Sequence, residues 1–363
     1  MEDLIVKKLR ILSLTAALLC ACTAFGCQEQ QQEESAVEET VKISPRSIVF
    51  DWQYVYNSKL TEFMKSSDYS SDEGNESMFE LYDITNDGTP ELIISPNGDR
   101  TTKCEVYTSV NGSVHSLGSY GNNGKVGYIP DMAIVCDEFQ GSGFVIGKYL
   151  SFVNSEFSEV MTYYDNTASA SNGAVIAHKI NDEDVSLPEY DAALKEYKDK
   201  YTEMLGRKYT FGSETIDYAI QCSESWGAVL NSQQKENCKK LLSSAVTNSE
   251  DNELKPAFEL CDLNNDETPE LIVSEGSSED SACKIYYFSD NELKELEGDY
   301  KGGGVIWFDI EKNVFYVSTS GGNTYWSLDS ADFSADDYKS SGNIMQFGRK
   351  YLLTQENIVK TFK

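Results

Sequence analysis

Two nine-residue turns hold the one constellation in this chain with specific chemistry. The first is Asp83-Ile84-Thr85-Asn86-Asp87-Gly88-Thr89-Pro90-Glu91, and the second is Asp262-Leu263-Asn264-Asn265-Asp266-Glu267-Thr268-Pro269-Glu270. Oxygen-bearing side chains fall at positions 1, 3, 5 and 9: Asp83, Thr85, Asp87 and Glu91, then Asp262, Asn264, Asp266 and Glu270. Position 7, Thr89 or Thr268, adds a backbone carbonyl. Such a set can wrap one Ca²⁺, which takes six to eight oxygens and tolerates irregular geometry, whereas Mg²⁺ demands a stricter octahedron. The same residues also suit a purely structural use. Aspartates hydrogen-bond nearby backbone amides in tight turns, and proline stiffens the exit.

The elements that position these turns repeat as well. Phe79–Ile94 (FELYDITNDGTPELII) and Phe258–Val273 (FELCDLNNDETPELIV) agree at 11 of 16 positions, at an offset of 258 − 79 = 179 residues. Apolar residues flank each turn, so each turn joins two strands. Beyond lie Cys104-Glu105-Val106-Tyr107 and Cys283-Lys284-Ile285-Tyr286, then the hairpin dipeptides Asn111-Gly112 and Asp290-Asn291. Apolar strands follow around Tyr128–Cys136 and Val305–Val317. Ahead of copy one, Ile48, Trp52, Val55, Tyr56, Leu60, Phe63 and Met64 recur at helical spacing; ahead of copy two, Trp226, Val229, Leu230, Cys238, Leu241 and Leu242 look similar, with Trp226 near the place of Trp52. Ser186-Leu187-Pro188-Glu189 opens a further helix running to Leu205, with Thr354–Phe362 as its shorter counterpart. The expected fold is α+β: two homologous lobes, each an antiparallel β-meander packed with flanking helices, spanning 46–210 and 211–363.

The turns resemble the D-x-[DN]-x-D-G-x-x-[DE] calcium loops of FG-GAP-type repeats, as in integrin α-chains, and more loosely the EF-hand loop. The resemblance covers about nine residues per copy and implies calcium as the bound ion. An EF-hand needs a bidentate Glu at position 12, where this chain has Ile94 and Val273. Two copies this far apart do not make propeller blades. Copy one departs at Thr85, a weaker ligand than Asp or Asn. Copy two has Glu267 where glycine is usual, which forces a strained positive φ or a different turn.

The first residues read as a targeting signal. Lys7, Lys8 and Arg10 precede an apolar run, Ile11–Leu19, that is too short to span a bilayer as a mature helix. Thr23-Ala24-Phe25-Gly26-Cys27 resembles the lipobox of bacterial lipoproteins, and Leu18-Leu19-Cys20-Ala21-Cys22 is a second fit. Cys27 is the favoured lipidation site, with Cys22 as the alternative. The polar run Gln28–Lys42 begins right after Cys27 and reads as a disordered tether. The expected layout is therefore a signal over 1–26, a tether over 27–45 and then the two lobes. Combined with the repeated turn, it resembles surface lipoproteins of gut Firmicutes that carry a DxxxDGxxELI stretch. That resemblance implies the extracellular face of a bacterial membrane and no activity.

Formal net charge is −30, with 60 acidic and 30 basic residues, which repels nucleic acid. After Cys27, six cysteines remain: Cys104, Cys136, Cys222, Cys238, Cys261 and Cys283. No CxxC or Cys/His cluster offers a zinc site. Cys222–Cys238 is the one pair close enough for a local clip; buried free thiols are the other reading. His115 and His178 read as surface residues. No nucleophile elbow, P-loop or Rossmann fingerprint occurs. Tyr163-Tyr164, Tyr286-Tyr287 and Tyr325-Trp326 suit either sugar stacking or strand faces. The expected function is a non-enzymatic, lipid-anchored surface protein that binds an extracellular glycan or protein. A carboxylate-dependent hydrolase of glycans or cell wall is the alternative.

Overall fold

The computed structural model describes residues 50–362 apart from 73, 168–176, 201, 222–225, 250–255, 265, 277, 279 and 328–337. The signal, the tether, Cys27, Cys22 and Cys222 lie outside the described residues.

Copy one opens on the helix that the apolar spacing predicts. Asp51–Phe63 (α1) buries Trp52, Tyr56 and Leu60, one side chain per turn. Met78–Tyr82 (β1) and Glu91–Ser95 (β2) pair antiparallel across the first turn, and β2 is buried along its whole length. Cys104–Val110 (β3) and Ser113–Tyr120 (β4) follow. Their turn residues Asn111 and Gly112 both take positive φ, 51° and 70°, as a tight hairpin requires. A second meander follows: Val126–Ile129 (β5), Ile134–Gln140 (β6), Val145–Val153 (β7), Glu156–Asp165 (β8), His178–Ile180 (β9) and Glu183–Val185 (β10). Leu187–Lys198 (α2) starts at Ser186, whose amide and hydroxyl both donate to the Glu189 carboxylate. Glu203–Leu205 (β11), Tyr209–Thr210 (β12) and Ser213–Gln221 (α3) complete copy one.

Copy two repeats the plan. Trp226–Val229 (α4) and Ser232–Ser249 (α5) precede Ala257–Cys261 (β13) and Glu270–Ser274 (β14), which flank the second turn. Ala282–Ser289 (β15) and Glu292–Lys301 (β16) turn at Asp290 and Asn291, again at positive φ. Ile306–Asp309 (β17), Val314–Thr319 (β18), Gly322–Ser327 (β19), Ile344–Phe347 (β20), Tyr351–Leu352 (β21) and Gln355–Thr361 (α6) end it. The fold is α+β with antiparallel meanders, as the sequence predicts.

The copies are interleaved. The strands form sheets of nine (β19-β18-β17-β20-β12-β1-β2-β3-β4), seven (β10-β9-β8-β7-β6-β5-β11) and five (β16-β15-β14-β13-β21). The nine-stranded sheet takes strands from both copies. Its joint is β12, which pairs with β1 of its own copy and with β20 of the other, at Tyr209↔Met345. One core runs through both copies, from Trp52 and Phe79 to Phe315 and Phe362. A second lies between β2–β3 and β5–β7 in copy one, and a third lies under α2.

The structure corrects three sequence expectations. β12 and α3 match β21 and α6, so copy one extends through Gln221 instead of ending at 210. α3 packs on its own copy, with Gln53 Nε2 donating to the Ile220 carbonyl (2.7 Å). The counterpart of Thr354–Phe362 is therefore α3, not the helix that Ser186 opens. The helix that Ser186 opens ends at Lys198, and Glu203–Leu205, expected as its last turn, is a strand.

A buried charge pair fixes the joint. Lys208, beside β12, donates through Nζ to Glu259 Oε1 on β13 of the other copy, and both side chains are buried. The ammonium also lies 5.6 Å from the centre of the Phe347 ring. Glu80, the copy-one match of Glu259, accepts from Gly206 N at 2.7 Å. Burial pushes its carboxyl up to about 7, against the pull of Lys208.

Removing one partner of a buried pair strands the other charge. Lys208→Met and Glu259→Gln are each expected to lower unfolding stability by about 3–5 kcal/mol, and the double variant by far less than their sum. Urea unfolding of all three checks this; additive losses would refute the pairing. Glu80 has the opposite sign. A raised carboxyl stabilises most below its unfolded pKa, and that contribution drains away as pH rises toward 7. Glu80→Gln keeps an acceptor for Gly206 N, so it is expected to gain on the parent chain between pH 5 and pH 8. A difference in urea midpoint that is flat across that range would contradict the burial.

Candidate functional site

In the first turn every carboxylate caps backbone. Asp83 accepts from Asp87 N and Gly88 N, each at 3.1 Å. Asp87 accepts from Thr89 N at 2.8 Å. Glu91, fully buried, accepts from Ile84 N (2.9 Å) and Thr85 N (3.2 Å), and its other oxygen accepts from Thr108 Oγ1 (3.1 Å). Thr85 Oγ1 is buried without a hydrogen-bond partner. Gly88 takes φ 89°, the left-handed geometry the turn requires.

The second turn copies this pattern. Asp262 accepts from Asp266 N (3.1 Å) and Glu267 N (2.9 Å), and Asp266 accepts from Thr268 N (2.7 Å). Glu270 accepts from Leu263 N (2.8 Å) and from Asn264 Nδ2 (3.3 Å). Glu267 takes φ 62°, the strained conformation its side chain disfavours. Here Asn264 satisfies the position where Thr85 leaves an orphaned hydroxyl.

Burial and mutual repulsion shape the titration of the carboxylates in each turn. Burial, and then the charges of Asp83 and Asp87, push Glu91 up to about 8, despite the pull of the Thr85 amide. Burial and the charges of Asp262 and Asp266 push Glu270 to about 8 as well. Burial also raises Asp83, with Lys360 opposing. Among the described residues, no three Asp, Glu, His or Cys side chains converge as a metal cluster. The donors are nonetheless all oxygen. Each Asp83 oxygen that accepts one amide retains a further lone pair, which suits a hard cation in the calcium class.

A second repeat locks each turn's hairpin. Gly206-Arg207-Lys208-Tyr209 recurs as Gly348-Arg349-Lys350-Tyr351, offset by 348 − 206 = 142 residues. Arg207 Nη1 donates to Ser95 Oγ (3.1 Å), and Arg349 Nη1 donates to Ser274 Oγ (3.2 Å). Gly206 N and Gly348 N donate to Glu80 and Glu259. Gly206 has φ 114°, and a Cβ there would sit 2.7 Å from Cys104 Sγ; Gly348, at φ 120°, lies likewise over Cys283. The cysteines 179 apart are thus equivalent packing thiols. Cys104, Cys136, Cys238, Cys261 and Cys283 are all free thiols, while Cys222 of the expected local clip lies outside the described residues.

The two turns differ in what covers them. Each faces the last helix of the other copy, through matched positions 218 and 360. In copy two, Tyr218 OH accepts from Asp262 N (3.3 Å) and from Trp226 Nε1 (2.7 Å), so buried rings seal the turn. In copy one the position belongs to Lys360, whose Nζ lies 3.7 Å from Asp83 Oδ2, and the turn borders a cleft of about 750 Å³. Hollows beside α1 and α5 are more open to solvent than this cleft.

Of the remaining sequence candidates, His115 is exposed, while His178 is buried, with Nδ1 3.4 Å from Asp165 Oδ1. His178 is a packed residue, which corrects its surface reading. Tyr163 and Tyr164 split across the two faces of β8, the first buried and the second half-buried, because successive strand residues alternate.

If the carboxylates hold the turns, Asp262→Ala strips two amides of their acceptor and is expected to cost about 1–3 kcal/mol. Glu267→Gly relieves the left-handed strain and is expected to add about 1 kcal/mol. Urea midpoints of the two variants should move in opposite directions, and a shared direction would refute the turn's geometry. Comparisons with protein-family models, curated proteins and solved structures return no match for this chain.

Proposed function

We propose that the chain is a non-enzymatic, lipid-anchored protein of the extracellular face of a bacterial membrane. It presents an interleaved two-copy fold to an extracellular ligand, and Ca²⁺ braces its two turns. The anchor rests on the Cys27 lipobox resemblance and the polar tether behind it. The observation that carries the non-enzymatic reading is the use of the turn carboxylates. Asp83, Asp87 and Glu91, and their copy-two matches, spend their oxygens on backbone amides. A carboxylate so committed holds a loop, and Glu91 is in addition fully buried, away from any substrate. This use weighs against the hydrolase alternative at these residues.

Calcium would be held by Asp83, Thr85, Asp87 and Glu91 with the Thr89 carbonyl, and by Asp262, Asn264, Asp266 and Glu270 with the Thr268 carbonyl. A divalent cation there would relieve the mutual repulsion that raises Glu91 and Glu270. Calorimetry of the chain with Ca²⁺ tests this. The expected outcome is saturable heat at or below millimolar metal and a raised thermal midpoint, both diminished by Asp87→Ala and Asp266→Ala. No binding heat at millimolar Ca²⁺ would sink the metal sites.

A further inference from the structure

We propose that the cleft beside the first turn is the ligand site and that its occupant is a neutral, hydroxyl-rich oligosaccharide. This rests on the binding-protein reading and gives it a place and a ligand class. The cleft lies where Asp83 of copy one meets Lys350, Tyr351 and Lys360 of copy two, with Tyr82 and Tyr128 on the near wall. Its volume of about 750 Å³ falls within the span of small-molecule sites, roughly 300–1,000 Å³.

Among the described residues, the two turns have different neighbours. In copy two the space beside the turn is filled from within the chain: Tyr218 stands over Asp262, and the indole of Trp226 stands against Tyr218 with ring centroids 6.0 Å apart. In copy one the matched residue is Lys360, and the space next to it is open. The same hairpin and latch thus border a protein ring in one copy and a cavity in the other.

The lining decides the class of occupant. An anion entering the cleft would meet Asp83, Asp131 and Glu356, inside a chain of net charge −30. A cation would meet Lys350 and Lys360. A lipid tail would strand all five charges without solvent, which is costly for each. The ligand that satisfies both signs is uncharged and dense in donors and acceptors. Asn86 and Asn357 add two side-chain amides, and the half-buried rings of Tyr82 and Tyr351 supply apolar faces. A pyranose offers hydroxyls at its edge and C–H groups on its face, and matches that combination.

The test uses the full-length chain in detergent against immobilised cello-, xylo-, malto- and chito-hexaose, followed by calorimetry on any hit. Two variants read the site. Asp131→Trp places an indole in the cleft from an exposed position, and Lys360→Met removes one donor. Circular dichroism and thermal midpoints confirm that both fold. The expected result is binding to at least one hexaose, abolished in Asp131→Trp and weakened at least about tenfold in Lys360→Met. Sugar binding that both folded variants retain would overturn the cleft while leaving the binding-protein reading intact. Binding of an acidic or basic hexapeptide, but of no sugar, that Asp131→Trp blocks would overturn the ligand class. Binding of neither sugars nor peptides would overturn the proposal together with the reading it rests on.

Discussion

The interleaved fold turns on one buried ion pair, Lys208 with Glu259. A buried pair is rarely worth more than well-packed apolar residues of the same volume, because two charges must leave water to form it. What it supplies here is address. The nine-stranded sheet joins the copies through a single residue pairing, Tyr209↔Met345, and the backbone bond from Gln346 N to the Lys208 carbonyl. So short a joint has little register of its own, since a one-residue slip would exchange the two faces of the strand. An unpaired ammonium in that interior costs about 3–5 kcal/mol, so the register that brings Lys208 to Glu259 is favoured over its neighbours. The strand edge carries little energy, and the charge pair selects where it lies.

The latch links that joint to the two turns. In each copy the Gly-Arg-Lys-Tyr segment ties the end of the chain's second meander to the hairpin that carries the turn. Arginine reaches a serine on the second hairpin strand, and glycine donates to a glutamate on the first. The glutamate that receives the glycine is also the one that Lys208 faces or neighbours. Lys208 pairs with Glu259 and acts on Glu80 through its charge, and these two glutamates lie on the strands that lead into the turns at Asp262 and Asp83. Two negative residues share one lysine, and the surplus falls on Glu80, whose carboxyl rises toward neutral pH.

Much of the local structure was legible in sequence. The α1 spacing, the Ser186–Glu189 cap, the two hairpin dipeptides and the strained Glu267 all rest on interactions within a few residues, and each stands where its pattern places it. The latch is hidden from an ungapped comparison for a definite reason. The turns repeat at 179 residues and the latches at 142, so copy one holds 179 − 142 = 37 extra residues between them. An ungapped comparison loses register across that excess. A signal did exist: Glu80 and Glu259 interrupt otherwise apolar strands at the same step of Phe-Glu-Leu, and a buried acid needs a partner. The joint between copies was beyond reach because strand edges carry no sequence label for the edge they meet. The burial of His178 is not legible locally because it depends on α2 arriving from later in the chain: its Tyr190 ring lies 5.3 Å from the imidazole.

The carboxylates of the turns show why a shifted pKa alone is weak evidence for catalysis. Glu91 and Glu270, near 8, would suit a general acid at neutral pH by value. A general acid must also reach its substrate. Glu91 is fully buried, with one oxygen against the Ile84 and Thr85 amides and the other against Thr108. Its proton has no path to a ligand that does not first dismantle the turn. The shift therefore reports crowding: burial and two neighbouring aspartates make the charged form expensive. Two kinds of partner relieve such crowding, a proton or a cation. A proton relieves one carboxyl at a time, whereas the divalent cation proposed for the turns would act on Asp83, Asp87 and Glu91 together. Either partner would hold the turn together, and neither asks Glu91 to reach a substrate.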